Sequence, residues 1–246
     1  MNLRLPLYRV YWALERRLAP GLRYAQFHYE EAVERRVLPG ASWLDIGCGW
    51  AAFSDWRLDA EREVVSRAGR VVGVDLVVDS LIKHRTISER YVANIDSLPF
   101  RDASFDVVTA NMVVEHLTDP ARSFAEVRRV LKPGGIFLMH TPNSRGHVVM
   151  LGRWLPEVVK GALIWLLQGR DESDVFPTHY RANTPEAIES LAGRSGLRVR
   201  EMRLVESTAA FALFAPLAVV ELLWIRATMR PTLARWRQNI IATLAV

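Results

Sequence analysis

Along residues 42–142, short apolar runs rich in β-branched residues alternate with stretches whose apolar positions recur every three to four residues. The runs "SWLDIG", "RVVGVDL", "RYVANI", "FDVVTAN" and "GGIFLMHT" predict five strands, the last entered through the turn "KPGG". Helices are predicted over 54–68, 78–86 and 120–131. The third has Thr118 or Asp119 placed to cap it and Pro120 in its first turn. Alternation at this spacing predicts an α/β fold, a parallel sheet with helices on both faces. Two amphipathic helices, 7–19 and 23–37, precede it and are separated by "APG".

After residue 142 the alternation is interrupted by an apolar, tryptophan-bearing segment over 143–183. It resumes with the helix "TPEAIESLAGRSG" and the strand "LRVREMRLV". A second apolar run, 208–225, follows, and "NIIATLAV" reads as a last strand. Pro216 and Glu221 interrupt the apolar run, and it is short for a membrane span.

Half of the 246 residues are hydrophobic, which excludes a disordered chain. The single cysteine, Cys48, excludes an intramolecular disulfide and a cysteine-based zinc cluster, and no metal site is expected. The first twenty residues do not read as a secretory signal, so a cytoplasmic protein is expected, with a membrane-peripheral one as the variant. The net charge is +5 and arginine carries most of the basic charge. Nucleic acid, anionic lipid or an acidic substrate would each suit that balance, as would a merely solvated basic surface. Without a basic-aromatic recognition module or a zinc finger, nucleic acid ranks behind the other partners.

The candidate chemistry begins at "WLDIGCGWAAF". A strand running into Gly-x-Gly brings backbone amides close to a bound small molecule. Residues 47–52 also satisfy the permissive G-x-G-x-x-A dinucleotide fingerprint, so an NAD(P)-dependent oxidoreductase is one reading. The acid Asp45, just before the first glycine, favours a cationic ammonium over a pyrophosphate. Asp75 ends the second strand, where a carboxylate can accept from both hydroxyls of a ribose.

With "SLPFRDASFDVV" and "LKPGG" following in order, the chain resembles the class I S-adenosylmethionine-dependent methyltransferases, type 11 branch, over about residues 41–142. The resemblance implies a Rossmann-like fold: a mostly parallel seven-stranded sheet with helices on both faces and an antiparallel last strand. It implies a single domain over 1–246, with N-terminal cap helices over 1–40 and a cofactor-binding core over 41–142. An insertion or lid would fill 143–183, and the sheet would be completed over 184–246 around an apolar insertion, 208–235. The implied cofactor is S-adenosyl-L-methionine. Asp45, Gly47 and Gly49 would surround its methionine end and Asp75 its ribose. Asn94, standing where the family's usual pattern has an acid, would face the adenine together with the Ile95 backbone. Ala51 replaces a common third glycine, and the long interval from Asp45 to Asp75 implies an extended first helix.

Methyl transfer to a hydroxyl needs a base, expected at the C-terminal edge of the sheet. His179 in "FPTHYRANTP" is the first candidate and His116 in "NMVVEHLTDP" the second, with Glu115 and Tyr180 behind them. The expected activity is methylation, O-methylation first, of an apolar, lipid-linked or glycan small molecule. A non-catalytic cofactor-binding protein is the remaining alternative. Residues 1–40 hold seven arginines against four glutamates, and 194–246 eight against three. With their tryptophans, these segments predict a lid around the acceptor or a contact with an anionic membrane surface.

Overall fold

The computed structural model describes residues 4–154 and 176–246. Its seven strands are β1 (Ser42–Ile46), β2 (Arg70–Asp75), β3 (Glu89–Val92), β4 (Phe105–Asn111), β5 (Leu131–Pro142), β6 (Arg198–Val205) and β7 (Asn239–Ala245). They form one sheet in the order β3-β2-β1-β4-β5-β7-β6. Strands β1 to β5 pair in parallel, with Asp45 level with Gly73 on one side and Thr109 on the other. The last strand runs antiparallel, as Val246 N donating to Gly135 O (3.1 Å) beside the start of β5 requires. Central strands with both faces covered are apolar on both, and Trp43, Leu44, Val72, Val74, Val108, Phe137 and Leu138 are all buried.

Contacts divide the chain into two compact units. The larger comprises Gln26–Thr141, Thr178–Arg203 and Ile240–Val246 and contains the sheet. Its helices are α2 (Ala25–Arg36), α3 (Leu58–Arg67), α4 (Val78–Ile82), α5 (Pro120–Val130) and, later in the chain, Pro185–Arg194. Asp119 caps α5 by accepting from Arg122 N, and Pro120 opens the helix, as the sequence pattern predicts. Asp106 ties two strand entries together, accepting from Ser42 N (2.8 Å) and Lys132 Nζ (2.7 Å). The predicted helix 78–86 stops at Ile82 because His84 Nδ1 accepts from the amides of Thr86 and Ile87 and turns the chain. The predicted helix 54–68 opens as a 3-10 turn, Asp55–Arg57, before α3 begins. The two run on without a break, so the helical stretch spans 55–67, close to the predicted bounds.

The smaller unit comprises residues up to Ala25, Pro142–Pro177 and Leu204–Asn239. Its helices are α1 (Arg4–Leu18), α6 (His147–Trp154) and Ala215–Thr228, which makes Pro185–Arg194 helix α7 and Ala215–Thr228 helix α8. Tyr11, Ala19, Ala212, Ala218, Leu222 and Ile225 form its core. Residues 155–175 of the expected insertion lie outside the described residues. Buried Glu221 of α8 accepts from His147 Nε2 (2.8 Å) and from the amides of Ala210 and Phe211. Arg237 donates to the carbonyls of Thr228, Leu204 and Met229, closing the turn after α8. Among the described residues no helix is long and apolar enough to cross a membrane.

Candidate functional site

The turn after β1 is made by two glycines in the left-handed region, Gly47 (φ 66°) and Gly49 (φ 56°). Their reasons for being glycine differ. A Cβ on Gly47 would lie 2.3 Å from Val113 Cγ2, so packing forbids it. A Cβ on Gly49 would meet nothing within 4 Å; it would project into open space. Gly47 N and Cys48 N both donate to Val74 O, and Gly49 N donates to Asp75 Oδ2 (2.8 Å). Asp75 Oδ1 accepts from Val77 N (2.8 Å). The carboxylate at the end of β2 is thus locked against the glycine turn, as a rigid site needs. Gly73 belongs to the same construction, since a Cβ there would lie 2.7 Å from Cys48 Sγ.

Asp45 is buried, and Thr109 Oγ1 donates to its Oδ1 (2.6 Å) while accepting from Trp43 Nε1 (2.7 Å). Burial pushes its carboxyl up to about 7, with Glu61 and Asp75 adding repulsion against the hydrogen bond from Thr109. Among the described residues no basic group pairs with it. A cation arriving here would favour its ionised form.

The loop after the turn is held by buried charges that the sequence reading did not single out. Glu30 Oε1 accepts from Ser54 N and Oγ, and Glu61 accepts from Phe53 N (3.0 Å) and from the Thr86 hydroxyl. Arg85 donates to Glu61 (2.6 Å), Phe53 O (2.8 Å) and Asp55 (3.0 Å), and its guanidinium lies over the Trp50 ring. Together these partners hold Glu61 below the usual carboxylate range despite its burial. The loop walls a cleft of about 280 Å³ together with Gln26 and Asn111. Asn111 Nδ2 donates to Gln26 Oε1 (3.3 Å), its Oδ1 meets His140 Nδ1 (2.8 Å), and Tyr29 stacks on the His140 ring.

Asn94 is exposed and its Oδ1 accepts from Asp96 N (3.1 Å), while the Ile95 side chain is buried. Asp96 is itself bonded to the Ser123 hydroxyl of α5. The two histidine candidates come from segments that meet. His116 ends a 3-10 turn after β4, and the neighbouring Glu115 O accepts from His179 N (2.7 Å) and Tyr180 N (3.1 Å). His179 is exposed, and His116 Nε2 lies 3.9 Å from Glu115 Oε1. The Glu115 carboxyl is buried among Thr141 and Asn183, and that burial raises its pKa. Met112 (φ 56°) and Tyr180 (φ 50°) adopt left-handed backbone in these same two segments. Strain of that kind concentrates where a site dictates the backbone.

Residues 44–139 match the sequence model of a methyltransferase domain, type 11. The core is a type 11 methyltransferase domain. A probable S-adenosylmethionine-dependent methyltransferase of Mycolicibacterium smegmatis is 35% identical over 136 residues, 52% of this chain and 50% of that protein. A ubiquinone biosynthesis O-methyltransferase of Hahella chejuensis is 32% identical over 141 residues, 54% of this chain and 56% of its own length. The chain thus spans about half the length of these curated relatives. The crystal structure of an S-adenosylmethionine-dependent methyltransferase from Mesorhizobium loti shares the fold, with TM-score 0.57 at 22% identity over 89% of this chain and 98% of that one. The cofactor of the type 11 domain is S-adenosylmethionine. The residues present fit that group: a buried carboxyl without a basic partner, a glycine opening onto free space, and a fixed carboxylate at the next strand end.

Proposed function

We propose that the chain methylates a hydroxyl of an apolar, lipid-linked or glycan small molecule. The carrying observation is the 2.8 Å bond from Gly49 N to Asp75, which fixes the β1 turn and the β2 carboxylate as one unit in a domain of this family. Asp75 would accept from the ribose hydroxyls, and Asp45 would face the ammonium of the methionine end beside Gly47 and Gly49. Asn94 and Ile95 would border the adenine. When bound, S-adenosylmethionine supplies a methyl group on a sulfonium and leaves as adenosylhomocysteine.

The chain's own task is to align the acceptor oxygen with that methyl and to take its proton. A ring nitrogen of His179 would take that proton. His116, 3.9 Å from buried Glu115, is the second base. The name of the Hahella relative supports oxygen over carbon or nitrogen as the methylated atom.

The test is transfer of labelled methyl into lipid and glycan extracts by the wild type, His179→Ala and His116→Ala. Loss of a general base lowers kcat about 100-fold or more, and full activity in both variants would remove the base assignments. Incorporation into none of the extracts by wild-type protein that binds the cofactor would favour the non-catalytic reading.

A further inference from the structure

Helix α8 breaks the rule that a surface helix has one apolar stripe. Its inner side packs through Ala218, Leu222 and Ile225 into the smaller unit's core. Its outer side is apolar as well. Leu217, Val220, Leu223 and Trp224 recur at helical spacing along it and are 44%, 65%, 50% and 40% exposed. Phe214, just before the helix, is also exposed. A contiguous exposed face of this kind marks a contact surface.

The charge around it is one-sided. The sequence of this unit holds thirteen basic residues, twelve of them arginine, against seven acids, an excess of six that exceeds the +5 of the whole chain. The three glutamates among its described residues are occupied inside the unit. Glu15 accepts from Tyr11 and Tyr24, Glu206 from Thr228, and Glu221 from His147 and two amides. Helix α1 packs against α8, and Leu5, Arg9, Trp12 and Arg16 line one exposed stripe of it. Arg17 is exposed on α1, and Arg226 and Arg230 are exposed at the C-terminal end of α8.

We propose that this unit docks on an anionic lipid surface. The outer side of α8 lies in the interface with its leucines, valine and tryptophan among the acyl chains, and the arginines of α1 and of the α8 terminus meet the headgroups. Tryptophan at the apolar boundary and arginine above it suit an interfacial helix, and α8 is too short to span. An acidic protein partner would satisfy the arginines but would leave the uncharged outer side of α8 without a reason. The proposal concerns the surface alone and does not depend on the acceptor being a lipid.

The test is flotation of the full chain with phosphatidylcholine vesicles, with and without phosphatidylglycerol, over a salt series. Two variants accompany it: Val220→Asp with Leu223→Asp, and Arg9→Gln with Arg16→Gln. The wild type should float only with the anionic vesicles and be released by salt. The arginine variant should bind about thirtyfold more weakly, about fivefold for each arginine. The aspartate variant, folded by circular dichroism, should lose retention; should it fail to fold, the arginine variant decides. Absence of binding, equal binding to neutral vesicles, or unchanged binding by the folded variants would overturn the proposal. So would a wild-type dimer that the aspartate variant splits on size exclusion, which would give the face to a second copy of the chain.

Discussion

Replacing each glycine of the β1 turn by alanine separates two demands that both look the same in sequence. Both positions have positive φ, so either alanine costs about 1 kcal/mol of backbone strain. At Gly49 the cost stops there, because the new methyl meets nothing within 4 Å. At Gly47 the methyl would sit 2.3 Å from Val113 Cγ2, and a β-branched side chain has few rotamers in which to retreat. Overpacking of that kind adds about 1–3 kcal/mol, for a total of about 2–4 kcal/mol. Urea unfolding of the two variants measures the difference, and Val113→Ala combined with Gly47→Ala should return the cost to about that of Gly49→Ala. Adenosylhomocysteine binding should rank the variants the other way, since the Gly49 methyl projects into the space left for a ligand. Equal destabilisation by both alanines, with no rescue from Val113→Ala, would refute the packing argument.

Removal of Asp75 deprives Gly49 N and Val77 N of their acceptor, so Asp75→Ala should weaken adenosylhomocysteine binding about 10- to 150-fold by calorimetry. Asp45, with its carboxyl raised to about 7, binds its proton more tightly folded than unfolded, so its contribution to stability is lost as pH rises from about 4 to 7. That loss approaches about 4 kcal/mol, at about 1.4 kcal/mol for each pH unit, and should vanish from urea titrations of Asp45→Asn. A cationic ligand beside Asp45 should also release a proton near pH 6.5, visible as a dependence of the calorimetric heat on the buffer. Arg85→Ala leaves Glu61 buried without its cation and should cost about 3 kcal/mol by urea unfolding, where an exposed arginine such as Arg62 costs almost nothing.

What was legible in the sequence was what lies close together along the chain. The strand alternation, the cap of α5, the two glycines and the acids ending β1 and β2 carry local signals that tertiary structure did not override. The antiparallel last strand followed from the family resemblance. Glu30, Glu61 and Arg85 were missed for a physical reason: on a helix or in a turn they read as solvated charges. Only the fold brings Glu61 to Arg85, 24 residues away, and Glu30 to Ser54, also 24 away. The same holds for the Gln26–Asn111–His140 chain beside the cleft, whose members stand on three separate elements. The helical stretch after the glycine turn was legible because helical spacing persists over 54–68, and only its 3-10 first turn was not. The charge network that holds the loop before that helix has no such local signal.

The most direct test of the central claim is calorimetric titration of the protein with adenosylhomocysteine, with reduced nicotinamide dinucleotide run alongside. Micromolar binding of the first and none of the second is the expected result. Binding of the dinucleotide alone would contradict the account and take the roles assigned to Asp45, Asp75 and the glycine turn with it.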